Sequence, residues 1–111
     1  MLEAALTAIL SNAHDFKSPN SIVVISTFSD AQWVLVTIRN QGPHIDTYPI
    51  DEIFEYGVSS RPGESDHQGL GLFIAKQYIV KMGGDLAAKN IRLNGELGVR
   101  FELKLARAGK N

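Results

Sequence analysis

The chain has 111 residues, of which 44% are hydrophobic and 21% charged, with a formal net charge of −1 and no cysteine. This length suits one domain with a single core, and the lack of cysteine excludes disulfides and thiolate zinc sites. The near-neutral charge gives no general electrostatic reason to expect nucleic acid or an anionic membrane as the partner. No apolar run approaches the roughly 18 residues that span a bilayer. We therefore expect one cytoplasmic domain over residues 1–111.

The chain opens on a predicted helix whose apolar stripe begins at once, without capping residues ahead of it. We therefore expect the chain to be a piece of a longer protein. Ala8, Asn12 and Asp15 are spaced i, i+4 and i+7, so they share a flank beside the stripe. The amide oxygen of Asn12 is a good neutral ligand for magnesium, although a solvated surface asparagine is the simpler reading of this helix alone. The predicted stripe consists of Leu2, Leu6, Ile9, Leu10, Ala13 and Phe16.

A β-hairpin is predicted after this helix. Residues 22–28 and 33–39 are rich in β-branched and aromatic residues and flank a short polar segment. Alternation along the second strand places Asn40 at the end of its buried face. Gly42 and the proline after it allow a sharp reversal and a close backbone approach. The next apolar residues predict a short helix from residue 49 to about residue 56.

Residues 57–68 contain glycines, a proline and serines without apolar periodicity, which predicts a loop. The loop precedes a helix, so we expect it to act as a lid over whatever the start of that helix binds. Arg61 is the only lid residue with a permanent positive charge that could reach a phosphate, and an exposed, solvated arginine is the commoner alternative.

A helix over residues 67–84 is opened by Gly69 and Gly71 and closed by a Gly-Gly pair. The first N–H groups of a helix have no internal partner and carry the positive end of its dipole, and glycine lets a phosphate approach them. The spacing predicts phosphate binding, although a lone Gly-x-Gly more often marks only a tight turn. The residues expected to enter the core are Leu72, Ala75, Ile79 and Met82.

Two further strands are predicted near the end of the chain. The first covers residues 85–89, a turn follows at Asn94-Gly95, and apolar alternation over 99–106 predicts a half-buried antiparallel strand. The element order is helix, two strands, short helix, lid, helix and two strands. This order predicts an α+β fold, a two-layer sandwich in which one sheet carries the helices on one face.

Three separated motifs together resemble those of the ATP-binding catalytic domain of sensor histidine kinases, in the superfamily that also holds DNA gyrase, the heat-shock chaperone ATPases and the MutL repair proteins. Residues 9–13, Ile-Leu-Ser-Asn-Ala, resemble the N box. Residues 40–45, Asn-Gln-Gly-Pro-His-Ile, resemble the first glycine box, and residues 67–72, His-Gln-Gly-Leu-Gly-Leu, resemble the second. Residues 53–55, Ile-Phe-Glu, resemble the phenylalanine box. The resemblance covers nearly the whole chain and implies the Bergerat fold, a two-layer α/β sandwich with a mixed sheet.

The resemblance also implies a site for ATP and Mg²⁺. Asn12 would bind the magnesium that bridges the phosphates, Asn40 would face the adenine amino group, and Gly42 would let the backbone pass close to the base. The turn from Gly69 to Leu72 would hold the phosphates. The ATP-binding residues implied in this way are Asn12, Asn40, Gly42, Ile45, Arg61, Gly69, Leu70, Gly71 and Leu72.

Five positions depart from the family pattern. Asn40 replaces an aspartate, so its bond to adenine would lack charge assistance. His44 and His67 replace glycines and add bulk where the nucleotide or lid must pass. Asp15 stands where many kinases have a cation, and Ala8 stands where the hydrolysing relatives have a general-base glutamate. The pattern therefore argues against a gyrase-like ATPase.

None of the three histidines lies in a sequence like the family's phosphoacceptor motif, and their spacing does not suit a metal site. The resemblance therefore implies a kinase that phosphorylates a histidine on a missing dimerisation domain and works with a response regulator. The intact protein would be a homodimer anchored in the bacterial inner membrane. Two alternatives are a degenerate domain that serves as a regulatory interaction module and a serine kinase resembling the anti-sigma factors. The motif variants are also similar to those of sensor kinases linked to proteobacterial dedicated sortase systems.

Overall fold

The computed structural model describes residues 1–56 and 68–107, which form two α-helices, one 3₁₀ helix and four strands. Within these ranges no helix is long and apolar enough to cross a membrane. The predicted lid, with Arg61 and His67, lies outside the described residues. In chain order the elements are α1 (Leu2–Phe16), β1 (Val23–Ser29), β2 (Trp33–Gln41), a 3₁₀ helix (Ile50–Phe54), α2 (Gln68–Lys81), β3 (Asp85–Leu93) and β4 (Glu96–Ala106).

The four strands form one sheet in the order β1-β2-β4-β3. Each neighbouring pair is antiparallel, so within the described residues the sheet is antiparallel throughout and the expectation of a mixed sheet is wrong for this part of the chain. The reason is topological. Both hairpins are antiparallel, and the segment that contains α2 returns the chain so that the second hairpin joins β2 through β4.

Both α-helices pack on one face of this sheet, which confirms the predicted α+β sandwich. The opposite face carries mainly polar and charged side chains, together with the apolar side chains of Phe28, Trp33 and Leu35. The buried hydrophobic core consists of Ala5, Ile9, Ala13, Ile38, Ile53, Phe54, Leu72, Ala75, Ile79, Leu86, Ala88, Val99, Phe101 and Leu103.

The buried line of α1 differs from the predicted stripe. Ala5, Ile9 and Ala13 are fully buried, whereas Leu6 is only partly buried and Leu2 is exposed. Two of the three buried side chains are alanines, which allow the helix backbone to lie close to its neighbours, and the larger leucines then occupy the flank. The sequence prediction placed the leucines in the core because it considered only hydrophobicity and not the space available between the helix and its neighbours.

The turns follow the predicted chemistry. Gly83 has φ of 84° and ends α2, while Asn94 and Gly95, with φ of 54° and 82°, form the β3–β4 turn. In the β1–β2 turn, the Asp30 carboxylate accepts hydrogen bonds of 2.8 Å from the N–H groups of Gln32 and Trp33. These bonds hold the pKa of Asp30 below its usual value.

The outer edge of β3 is covered by side chains from neighbouring elements. Lys76 of α2 donates a 2.7 Å hydrogen bond to the carbonyl of Leu86, and a ring nitrogen of His44 lies 2.9 Å from the carbonyl of Ile91. Covering an edge strand in this way satisfies its backbone groups and prevents further strand pairing. It also ties α2 and the loop after β2 to the same strand, which fixes the two elements that form the candidate site.

Candidate functional site

The structure brings the N-box segment of α1 next to the start of α2. Asn12, Ala8, Gly71 and Leu72 line one cavity of about 480 Å³ between the two helices. Asn12 is half-buried there, and Leu72 is anchored in the core. The predicted magnesium ligand and the second glycine box therefore share a cavity, although Asn12 and Gly71 are 59 positions apart in the chain.

The start of α2 forms one wall of this cavity through Gly71 and Leu72. Gly69 and Leu70 lie in the first turn of the same helix, where backbone N–H groups have no partner within the helix. A Cβ atom added at Gly71 would lie 3.8 Å from the Cβ of Ala8, an ordinary contact distance. Glycine at this position is therefore not required by helix packing, and its effect is to leave the helix terminus open to an approaching group.

Asn40 and Gly42 form a second group at the end of β2. Asn40 is only 3% exposed, as the strand alternation predicted, and its side-chain amide donates a 3.1 Å hydrogen bond to the carbonyl of Gln41. A Cβ at Gly42 would overlap the carbonyl oxygen of Phe16 at the end of α1. The close backbone approach predicted at Gly42 is thus an approach to α1, and it places Asn40 beside the helix that carries Asn12.

The loop after Gly42 is held by a residue that the sequence did not single out. Asn90 on β3 accepts a 2.8 Å hydrogen bond from the N–H of Ile45 and donates another 2.8 Å bond to its carbonyl. Ile45 packs against the core as a result. The bulk of His44, expected to face the nucleotide or lid, is directed to the edge of β3 instead. An asparagine within a strand gives no sequence signal that it will form these two hydrogen bonds with Ile45.

Other residues of α1 also line the cavity. Glu3, Thr7 and Ser11 extend it along the exposed side of the helix, and their i, i+4, i+8 spacing is the signal that could have identified them. Asp15 is exposed and is not among the residues that line this cavity. Over the described ranges no group of three His, Asp or Glu side chains could hold a metal ion by itself.

The sequence also matches a known family, described as "Histidine kinase-, DNA gyrase B-, and HSP90-like ATPase", over residues 1–108. The chain belongs to this family. The match includes the N-box, glycine-box and helix-start segments described above, and it confirms the ATP-binding catalytic domain of sensor histidine kinases as the class that the motifs indicate.

Similar proteins support this assignment. "Sensor protein ChvG" of Rhizobium meliloti (strain 1021) is 34% identical over 106 residues, and the protein of the same name in Agrobacterium fabrum is 34% identical over 111 residues. These alignments cover 90% and 93% of this chain but only 18% of each relative. The chain therefore spans about a fifth of the length of these curated relatives.

Solved structures share the fold. The structure titled "Mycobacterial sensor histidine kinase MprB" has a TM-score of 0.79 and 27% identity, and the match covers 93% of this chain and 70% of that one. The catalytic domain of histidine kinase ThkA has a TM-score of 0.69 and 27% identity, covering 92% of this chain and 63% of that one. The fold is thus that of histidine-kinase catalytic domains.

Proposed function

We propose that residues 1–111 form the catalytic domain of a two-component sensor histidine kinase, which binds Mg-ATP and offers the γ-phosphate to a histidine on a separate dimerisation domain. The observation that carries the proposal is the shared cavity of Asn12, Gly71 and Leu72 between α1 and α2. The cavity combines a half-buried amide oxygen with the amino end of a 14-residue helix. Both features suit a phosphate chain with a bound cation.

A single neutral ligand, the amide oxygen of Asn12, suits a magnesium ion that is already bound to the phosphates of a nucleotide. Mg²⁺ prefers oxygen ligands and keeps several waters, so it is commonly held by one protein group and the substrate's phosphates. Asn12 would provide that one group, and it is neutral, so it does not repel the phosphates. When bound, magnesium supplies neutralisation of the phosphate charge. The chain's own role is to hold the phosphates at Gly69–Leu72 and to orient them.

The end of β2 supplies the adenine side of the proposed site. Asn40 is buried and fixed by its bond to Gln41, and Gly42 keeps the following loop close to α1. Ile45, held by Asn90, offers an apolar side chain at the same end of the sheet. Adenine would be read here by hydrogen bonding to the Asn40 amide. Arg61 would reach the phosphates from the lid.

The residue at one wall of the cavity favours transfer of the γ-phosphoryl group to another molecule over hydrolysis of ATP. Ala8 lies next to Gly71, where a carboxylate would be needed to activate water. An alanine cannot accept a proton, so the cavity wall beside Gly71 supplies no general base at this position. We therefore propose that the acceptor is a histidine supplied from outside residues 1–111, with a response regulator receiving the phosphoryl group afterwards.

Exposed apolar side chains near the start of α2 support docking of such a domain. Tyr56 is 70% exposed and contacts the ring of Phe73 edge-on, with the ring centroids 5.4 Å apart. Ile74 is also exposed on the same helix. Contiguous exposed apolar groups commonly mark interaction surfaces. In the intact protein, this domain would be the cytoplasmic part of a homodimeric, inner-membrane sensor, as the resemblance implies.

A degenerate binding module is the second candidate function. The observation that favours it is the buried amide at Asn40, which offers adenine a weaker acceptor than a carboxylate would. This alternative predicts that the domain retains its fold but binds nucleotide weakly or not at all.

Calorimetric titration with a non-hydrolysable ATP analogue, with and without magnesium, separates the two functions. The kinase proposal predicts binding tighter than ~1 mM, about 4 kcal/mol, that requires magnesium. Asn12→Ala should remove the magnesium dependence, while His14→Ala, an exposed residue on the same helix, should leave it intact. No detectable heat at millimolar analogue would favour the degenerate module, and magnesium dependence that survives Asn12→Ala would refute the ligand assignment.

A further inference from the structure

The face of the sheet opposite the helices carries a transverse row of three cations. Arg39 on β2 pairs in register with Arg100 on β4, and Arg100 pairs in register with Lys89 on β3. Directly opposite residues on neighbouring antiparallel strands have Cβ atoms about 5 Å apart and point to the same face. The three residues, which we call the cation row, therefore cross three adjacent strands in a line.

The charges of the cation row are only partly neutralised. One oxygen of Glu102 lies 2.7 Å from a terminal nitrogen of Arg100 and 3.7 Å from the Lys89 ammonium. Arg39 has no ion pair among the described residues, and its nearest side-chain partner is the hydroxyl of Ser26 at 3.4 Å. Lys89 and Arg100 thus share one carboxylate, and the charge of Arg39 is not paired within the described residues.

Two hydrogen-bond donors of the cation row are buried without a partner. These are the Nε–H groups of Arg39 and Arg100, whose side chains are otherwise partly exposed. A buried donor without an acceptor destabilises the folded state, and like charges placed directly opposite each other in a sheet do so as well. An added anion could not reach the buried Nε–H groups, but beside the exposed terminal nitrogens and the Lys89 ammonium it would offset the like-charge repulsion of the row.

The surroundings of the cation row indicate which anion fits. Phe28 and Leu35 pair in register on the same face, about 14 Å along the strands from the row, and Phe28 is 65% exposed. Trp33 lies beyond them, with the Lys104 ammonium 4.4 Å from its ring centroid. Arginine and aromatic side chains together are typical of protein interfaces. The net charge of −1 provides no long-range attraction to nucleic acid or to an anionic bilayer.

We propose that this sheet face docks an acidic protein segment, whose carboxylates pair with the cation row and whose apolar residues cover Phe28 and Leu35. The carboxylates would accept hydrogen bonds from the exposed terminal N–H groups of the two arginines and neutralise the excess charge. The surface lies on the opposite side of the sheet from the helices that form the candidate ATP site, so a partner could bind here without blocking that site.

The proposal is tested by titrating the isotope-labelled full chain with a hexaglutamate peptide at low salt and following backbone and arginine side-chain NMR signals. We expect saturable shifts at Arg39, Lys89 and Arg100 that weaken as salt is added. Arg39→Gln and Lys89→Gln should each reduce the affinity at least threefold. Arg92→Gln is the matched control, because Arg92 lies on the other face by strand alternation and donates to the carbonyl of Gly95.

Circular dichroism of each variant establishes that it is folded. If the Arg39 variant does not fold, the Lys89 variant alone tests the proposal. Titrations with inorganic phosphate, anionic lipid vesicles and single-stranded DNA are run in parallel. An absence of shifts at the cation row, equal peptide binding by the row variants, or stronger binding of vesicles or DNA than of the peptide would each overturn the proposal.

Discussion

At the level of single residues, a substitution at Gly71 should have opposite effects on the stability of the domain and on its affinity for nucleotide. Alanine at this position would meet the Ala8 side chain at an ordinary contact distance and would suit a helix better than glycine. We predict that Gly71→Ala raises the free energy of unfolding by up to about 1 kcal/mol. The same methyl group would stand in the way of a phosphate, so nucleotide affinity should fall roughly tenfold, or ~1.4 kcal/mol.

Urea unfolding and calorimetry on the same sample measure both quantities. Gly42→Ala is the contrasting variant, because its Cβ would overlap a backbone carbonyl of α1 and should cost about 1–3 kcal/mol or more of stability. A Gly71→Ala protein that unfolds more easily and binds nucleotide normally would show that this glycine serves packing instead.

Asn40 offers a second residue-level test, since the resemblance implies an aspartate at this position in related kinases. Asn40→Asp would replace a neutral acceptor by a charged one, which we predict tightens adenine-nucleotide binding about tenfold, or ~1.4 kcal/mol. The free protein should become less stable by about 1–3 kcal/mol, because the carboxylate is buried and the hydrogen bond to Gln41 is lost. Unchanged nucleotide affinity in a folded variant would remove Asn40 from the adenine site.

At the level of elements, Lys76 connects α2 to the edge strand β3. Its ammonium lies 2.9 Å from the Asp85 carboxylate, donates to the carbonyl of Leu86 and lies 5.3 Å from the centre of the Phe54 ring. The hydrogen bond from Lys76 is the largest cause that holds the pKa of Asp85 below its usual 3.8. This contact helps to hold the start of β3, the strand whose Asn90 positions the Ile45 loop.

The Lys76–Asp85 contact predicts a small pH dependence. A carboxyl whose folded pKa is lowered adds stability above its unfolded pKa of 3.8, and this contribution is lost as the pH falls through the folded pKa. The Asp85 side chain is 65% exposed, so solvent screening limits the effect to less than about 1 kcal/mol. Thermal unfolding should show Asp85→Asn slightly less stable than the original chain at pH 7 and equally stable at a pH below the folded pKa of Asp85. A stability difference between the two proteins that stays constant with pH would show that ionisation of Asp85 does not contribute to stability.

The elements themselves were largely predictable from local patterns. The glycine-flanked α2, the Asn94-Gly95 turn and the alternation of β4 each have a local physical cause, and all three are present. The extension of β3 to Leu93 was missed because Lys89 and Asn90 interrupt its apolar pattern. That extension depends on pairing with β4, which is a long-range property.

At the level of the whole molecule, the sequence identified the class of site better than its geometry. The resemblance to the family's boxes implied that Asn12 and Gly71 belong to one site, and the fold places both in a single cavity. The hydrogen bonds by which Asn90 holds Ile45 could not be predicted, because the two residues are 45 positions apart in the chain. The position of His44 on the edge of β3 likewise depends on tertiary structure.

The central claim is that the groups at Asn12, at Asn40 and at the start of α2 form one Mg-ATP site. Chemical-shift mapping of the labelled chain with a magnesium complex of a non-hydrolysable ATP analogue tests it most directly. We predict that the largest amide shifts fall on Asn12, Asn40, Gly42 and residues 69–72, with smaller shifts when magnesium is omitted. An unchanged spectrum at millimolar nucleotide, or shifts confined to residues outside these groups, would contradict a single Mg-ATP site at these residues.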